Sequence, residues 1–265
     1  LQSVPWTNAS PFRAVAMGTM LPTALRGPEP ALALESLDGF DLNVPDLLRP
    51  ELEGGLRQLY RSVGGSFERE AESLFSTMRE LRALATDQAL GRGDASYPET
   101  SFGEALRQVA QLIKADGGLE VACVDLGGWD THEEQGGEEG QFADLLAELG
   151  AGLAAFYHDM ADRADRLTVV TMSEFGRMLE ENASGGTDHG RGGSMWVMGG
   201  GVRGGVHAAW PSLAPEALDG GDLAITTDFR DVLSEILVQR LQSSAVERVF
   251  PGYRATYHGI LRPGA

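Results

Sequence analysis

Several features that define common protein classes are scarce in this chain of 265 residues. The single cysteine, Cys123, excludes an internal disulfide framework and a cysteine-rich zinc site, and we expect it to be a buried structural thiol. Lysine and arginine total 21 against 39 aspartates and glutamates, which argues against nucleic acid or an anionic membrane as the main partner. No apolar run approaches the ~18 residues of a membrane-spanning helix. With 42% hydrophobic residues, the chain is expected to be a folded globular protein.

The second half of the chain alternates buried strands with amphipathic helices. The runs LEVACVDL (119–126) and LTVVTMS (167–173) are typical of strands covered on both faces. Between them, apolar residues recur at helical spacing over 142–160. Strand, long helix and strand form the βαβ unit of a parallel sheet. We therefore predict an α/β fold with a mostly parallel sheet sandwiched by helices.

The chain divides into three predicted segments. Apolar runs at 12–18 and 31–36 predict strands joined by a Pro/Gly-rich loop, so residues 1–45 are assigned to strands and loops. Residues 46–100 are predicted to form a helical layer or insertion, because their apolar side chains recur at three- and four-residue steps up to about residue 90. Residues 101–265 are predicted to form the α/β core that carries the candidate site.

Local signals place further elements within that core. Ser101 and Glu104 have capping-box spacing, which predicts the start of a helix. SMWVMG (194–199) is predicted to be another strand. Thr227 or Asp228 is predicted to cap the C-terminal helix.

Polar side chains collect in the loops that follow the two buried strands. The first loop supplies Asp130 and His132, and the second supplies Glu174, Arg177, Asp188 and His189. Loops at the carboxyl ends of parallel strands share one rim of the sheet, where ligands bind. Carboxylate and imidazole groups from several loops suit a divalent cation, without distinguishing Zn, Mn, Fe, Mg or Ca. We predict a metal site at this rim.

The same residues also have plain structural interpretations. An Asp-His pair in the glycine-rich segment GGTDHGRGG (185–193) is commonly an exposed turn, and Arg177 could pair with nearby acids. His158 lies off the apolar stripe of its helix and is expected to be exposed, while His258 is expected to be structural or exposed. Ser173 stands in no Gly-x-Ser-x-Gly elbow, so a Ser-His-Asp hydrolase has little support.

An ordered set of motifs between residues 120 and 252 resembles a bacterial family of uncharacterised proteins. The motifs are DLGGWDTH (125–132), SEFGR (173–177), Asn182, GTDHG (186–190), GGGVRGG (199–205) and TTDFRDVLSEIL (226–237). That family, a domain of unknown function, is similar to the alkaline phosphatase and sulfatase superfamily. The chain resembles the family's C-terminal portion, so the resemblance implies either that the nucleophile lies upstream of Leu1 or that the active site is incomplete.

The resemblance implies a fold and a set of residue roles. The fold is a three-layer α/β/α sandwich, alkaline phosphatase-like, whose strand-end loops bind one or two divalent metals. The implied metal ligands are Asp130, His132, Asp188 and His189, and the implied catalytic residues are Glu174 and Arg177. Two alignments stay open: in one the ligand carboxylate is Asp188, in the other it is Glu174, and both retain His189. Arg177 would contact the substrate anion.

The predicted function is a metal-dependent hydrolase of the alkaline phosphatase/sulfatase type, with a divalent metal cofactor (Zn, Mn, Mg or Ca) and a phosphate or sulfate ester as substrate. The alternative is a non-catalytic exported protein that uses the metal-binding rim for structure or for binding glycans or partners. No nucleic-acid partner and no membrane span are expected. Many family members are exported with a twin-arginine leader, so the resemblance implies a periplasmic or cell-surface location.

Overall fold

The computed structural model describes residues 1–5, 7–37, 39–86 and 95–263, with only the backbone described for 84–86. The chain separates into two compact units. The N-terminal unit is Asn8–Leu126, and the C-terminal unit combines Leu1–Thr7 with Gly127–Ala265. None of the described helices is both long and apolar enough to cross a membrane.

The N-terminal unit is built on a three-stranded parallel sheet. Its strands are β1 (Ala14–Met17), β2 (Leu32–Leu34) and β3 (Val121–Val124), in the order β2-β1-β3. Val15 lies opposite Leu32 on one side and Ala122 on the other. The sheet confirms the predicted α/β class, the expectation of a parallel sheet and the two early strands.

Three of the described helices lie between β2 and β3 in the chain. They are α1 (Arg49–Val63), α2 (Gly65–Thr86) and α3 (Ser101–Lys114). Helix α3 is capped one residue earlier than predicted, because the Thr100 hydroxyl accepts a hydrogen bond from the backbone N–H of Gly103 at 3.1 Å. The predicted helix end near residue 90 lies outside the described residues.

Apolar side chains from the sheet and the helices form the core of the N-terminal unit. The main cluster comprises Phe12, Val15, Leu34, Leu37, Leu81 and Leu112, and a second cluster comprises Ala71, Phe75 and Met78 on α2. Phe67 and Leu74 belong to the same series of apolar residues at helical spacing, but both are exposed. The hydrophobic stripe of α2 is therefore narrower than its spacing suggests.

Strand β3 is less covered than its apolar sequence predicts. Ala122 is exposed and Cys123 is only partly buried. Partial burial raises the pKa of the Cys123 thiol, and the nearby charge of Asp125 adds to the rise. The difference follows from the position of β3 at the end of the described sheet order, where a strand has one hydrogen-bonded neighbour.

The C-terminal unit contains short antiparallel pairs instead of the predicted βαβ unit. Helix α4 (Gln141–Asp159) is followed by β4 (Val169–Val170), and β4 pairs antiparallel with β7 (Val197–Met198). Between them, β5 (Gly176–Arg177) pairs antiparallel with β6 (His189–Gly190). The segment from β4 to β7 thus folds back on itself as nested hairpins, and the predicted parallel pairing of β4 with β3 does not occur in the described sheets.

Two final helices complete the C-terminal unit. Helix α5 (Phe229–Gln239) is capped by Asp228, whose carboxylate accepts from the N–H of Arg230 at 2.9 Å, and α6 (Val246–Val249) follows. The buried carboxylate of Glu235 on α5 accepts hydrogen bonds from the N–H groups of His258, Gly259 and Leu261. These bonds hold the C-terminal segment against α5, which gives His258 the structural setting expected for it.

Truncating the core of the N-terminal unit should destabilise it. Leu112 is fully buried, so Leu112→Ala should lower the free energy of unfolding by about 2–5 kcal/mol through lost burial and a cavity. Leu59→Ala is a matched control, because Leu59 is 59% exposed on α1 and its truncation should change stability by less than about 0.5 kcal/mol. Urea unfolding followed by circular dichroism measures both, and equal effects would contradict the core assignment.

Candidate metal centre

Two loops of the C-terminal unit lie side by side and carry the candidate site. The first, 129–135, precedes α4, and the second, 182–190, joins β5 to β6 and includes that strand. Backbone hydrogen bonds connect them: Glu134 N to Ser184 O (3.0 Å), Gln135 N to Gly185 O (2.9 Å) and Thr187 N to Thr131 O (3.3 Å). We call this set of bonds the loop seam. It brings together side chains that are far apart in the sequence.

Gly186 allows the two loops to approach this closely. A Cβ atom at Gly186 would lie 2.3 Å from both the carbonyl carbon and the carbonyl oxygen of His132. Asn182 shapes the same turn, since its side-chain oxygen accepts from the N–H groups of Ser184 (2.9 Å) and Gly186 (3.1 Å). The turn therefore depends on Gly186, which has no side chain, and on the Asn182 amide, which accepts hydrogen bonds from the backbone N–H groups of the turn.

Three side chains converge at the loop seam with the composition of a metal site. Asp130 Oδ1 lies 2.7 Å from Nε2 of His189 and 2.9 Å from Nε2 of His132. One potential ligand atom from each residue lies within 4.8 Å of the others. The structure thus brings together three of the four predicted ligands as a triad of one carboxylate and two imidazoles.

Short strands and an aromatic ring hold His189 in this position. His189 lies opposite Arg177 in the β5–β6 pair. The ring of Phe175 stacks on the His189 imidazole, with centroids 4.0 Å apart and planes 11° from parallel. One face of the imidazole is therefore covered, while its Nε2 faces Asp130.

The fourth predicted ligand, Asp188, lies beside the triad and contacts a different atom of it. Its Oδ1 is 2.8 Å from Nδ1 of His132 and accepts a hydrogen bond from the Asn182 amide at 3.1 Å. His132 consequently lies between two carboxylates, with Nε2 towards Asp130 and Nδ1 towards Asp188.

The two predicted catalytic residues differ in their placement. Arg177 donates to the carbonyl oxygens of Thr187 and Trp129 and lies 3.3 Å from Asp130 Oδ1, so its guanidinium joins the two loops. Glu174 is exposed, and in the described part of the chain it makes none of the hydrogen bonds of the triad. The structure brings Arg177 to the site through backbone contacts and leaves Glu174 outside the hydrogen-bonded group.

Hydrogen bonds keep both carboxylates ionised. The hydrogen bond from His189 holds the pKa of Asp130 below its usual range. Desolvation raises this pKa, and the charges of His132, His189 and Arg177 lower it further. Bonds from His132 and Asn182 similarly lower the pKa of Asp188.

An open cavity of about 610 Å³ adjoins the triad and is lined by Asp130, Thr131, His132, Glu133, Glu134 and Gln141. The surroundings are therefore strongly acidic and attract cations.

Sequence reasoning assigned no role to two residues that build the site. Asn182 was part of the family motifs, and the turn-forming composition of the residues after it signals its backbone role. Phe175 lies in the SEFGR motif, but the motif gives no sign of its role, because its stacking on His189 depends on the pairing of β5 with β6. Of the remaining histidines, His158 is exposed as predicted, and His207 contacts the carbonyl oxygen of Arg203.

Fold and site together define a mixed α/β protein with a candidate metal centre of two histidines and one aspartate. The family model described as "Protein of unknown function (DUF1501)" matches residues 52–241, and the chain belongs to this family. The match covers both loops and every member of the triad. No curated protein and no solved structure matches the chain. The predicted membership of an uncharacterised family is confirmed, whereas these comparisons contain no similarity to alkaline phosphatases or sulfatases.

The close approach at Gly186 gives a direct test of the loop seam. Gly186→Ala should lower the free energy of unfolding by about 1–3 kcal/mol, because the added methyl group overlaps the backbone of His132. Gly193→Ala is the matched control, since a Cβ atom there meets nothing within 4 Å. Denaturant unfolding followed by tryptophan fluorescence compares them, and a Gly186→Ala protein as stable as the control would show that the loops are not in contact.

Proposed function

We propose that this protein is a metal-dependent hydrolase of the alkaline phosphatase/sulfatase type that acts on phosphate or sulfate esters. The observation that carries the proposal is the convergence of Asp130, His132 and His189, each with one potential ligand atom within 4.8 Å of the others. A three-layer α/β/α sandwich and a periplasmic or cell-surface location are part of the same proposal, and the motif resemblance supports them.

The donor atoms of the triad fit a divalent cation. An ionised Asp130 can only accept hydrogen bonds, so Nε2 of His189 donates one to its Oδ1 when no metal is bound. A cation held by the same ligand atoms would take the place of that proton. Two imidazole nitrogens and one carboxylate oxygen are the ligand set of catalytic zinc and related transition-metal sites. Mg and Ca prefer oxygen ligands, so the set favours Zn or Mn over them.

The surrounding residues determine what such a site can do. When bound, a divalent cation supplies a Lewis acid that polarises a phosphoryl or sulfuryl oxygen. Glu133 and Glu134 line the adjoining cavity and repel a free anion, so binding of an anionic ester requires the positive charge of the cation. Arg177 holds the loops and adds positive charge beside Asp130. Glu174 keeps its proposed catalytic role, which the turnover of Glu174→Gln would test.

A specific observation also supports a role without catalysis. Within the described residues, the side-chain hydrogen bonds of the triad involve carboxylates, imidazoles and a guanidinium, and no hydroxyl or thiol that could act as a nucleophile. A protein of this kind would use the metal site for structure or for binding glycans or partners.

Metal analysis tests the site itself. Purified protein dialysed against Zn²⁺ or Mn²⁺ should retain stoichiometric metal, and His189→Ala or His132→Ala should weaken binding by more than the ~10–100-fold typical of outer-shell changes. His158→Ala is the matched control, because His158 is exposed on α4 and should leave binding unchanged. If the unmutated protein retains no stoichiometric metal, the site does not exist.

Turnover separates the enzyme from the binding protein. Metal-loaded protein should hydrolyse aryl phosphates or aryl sulfates, lose the activity on chelation and regain it when metal is restored. His189→Ala should be inactive and His158→Ala fully active. Stoichiometric metal without turnover of either ester class would reject the hydrolase and support the non-catalytic role.

A further inference from the structure

We propose that Asp188 and Asn182 are positioning residues for His132: Asp188 fixes its ring and tautomer, and Asn182 fixes Asp188. The inference builds on the proposed metal site, and it concerns the side chains next to the triad. It gives Asp188 a role other than the ligand role predicted from the sequence.

The contact between Asp188 and His132 determines which ring nitrogen is available. Asp188 Oδ1 lies 2.8 Å from Nδ1, and a carboxylate can only accept a hydrogen bond, so the proton resides on Nδ1. Nε2 is then the nitrogen left to bind a cation, and it is the one that faces Asp130 at 2.9 Å. A carboxylate that accepts the second N–H of a ligand histidine orients the ring and raises its basicity.

The geometry also places Asp188 away from the ligand atoms. Its contact is with Nδ1, whereas Nε2 is the nitrogen of His132 that points to the centre of the triad. Asp188 directly precedes His189, the first residue of β6. The two neighbours reach the site at different atoms: His189 contacts Asp130, and Asp188 contacts His132.

Asn182 joins all parts of this arrangement through one amide group. Its nitrogen donates to Asp188 Oδ1 at 3.1 Å and to the backbone oxygen of His132 at 2.9 Å. Its oxygen accepts from the backbone N–H groups of Ser184 and Gly186, and these two donors set the orientation of the amide. One side chain thus connects the Asp188 carboxylate, the backbone of His132 in the first loop and the turn that precedes Asp188 in the second loop.

Metal affinity distinguishes a positioning carboxylate from a ligand. Asp188→Ala and Asn182→Ala should weaken Zn²⁺ binding, measured by competition with a chromogenic chelator, by about 10–100-fold without changing its stoichiometry. Asp188→Asn should recover most of the affinity, because the amide oxygen can still accept the Nδ1 proton. Glu181→Ala is the matched control, since Glu181 is a neighbouring exposed carboxylate and its removal should leave affinity unchanged. If Asp188→Asn binds as weakly as Asp188→Ala, or if Glu181→Ala has the same effect, the inference is wrong.

A second measurement needs no metal and so separates this inference from the proposed function. In metal-free protein, the NMR spectrum should contain a slowly exchanging imidazole N–H signal from Nδ1 of His132, which disappears in Asp188→Ala. Persistence of that signal in Asp188→Ala would overturn the inference. If the unmutated protein binds no metal, the proposed function fails, while this spectrum still decides whether Asp188 fixes His132. The Asp188 variants retain the backbone contacts of Asn182, so the result does not depend on the folding of Asn182→Ala.

Discussion

The candidate metal centre depends on the backbone hydrogen bonds of the loop seam. Asp130 and His189 are 59 positions apart in the sequence, and neither of them lies in a helix or a long strand. The seam sets the distance between their loops, and the lack of a side chain at Gly186 permits it. Arg177 adds hydrogen bonds to carbonyl oxygens of both loops. The geometry of the candidate site is therefore a property of loop packing, which explains why the site has so many backbone contacts.

Charge balance is the second constraint on the site. The chain carries a formal net charge of −18, and the cavity beside the triad is lined by further carboxylates. Asp130 and Asp188 stay ionised there because imidazole, amide and guanidinium groups donate hydrogen bonds or lend positive charge to them. The negative charges of Asp130 and Asp188 on either side of His132 attract a cation to the site. The same electrostatics would make the affinity for an anionic ester depend on metal occupancy.

Some elements could be predicted from local patterns and others could not. The early strands, the helices and the capping of α5 at Asp228 follow from hydrophobic spacing and cap chemistry, which act over a few residues. Strand β4 was predicted from its apolar residues, but the predicted parallel pairing with β3 was wrong, since β4 pairs antiparallel with β7. Apolar content does not encode the direction in which a strand pairs. Phe67 on α2 is exposed although it has helical spacing with buried residues. The spacing of apolar residues alone does not reveal which of them other elements cover.

The sequence by itself determined the family, the α/β class and the residue types of the site. The order of motifs, the period of hydrophobic residues and the chemistry of side chains can all be read from short stretches of sequence. The sequence also placed Asp130, His132 and His189 in loops that could converge. Only the tertiary structure decided that Asp188 contacts Nδ1 of His132 and that Asn182 connects both loops. These assignments depend on distances of about 3 Å between atoms on separate loops, which are set by packing and hydrogen bonding across the fold.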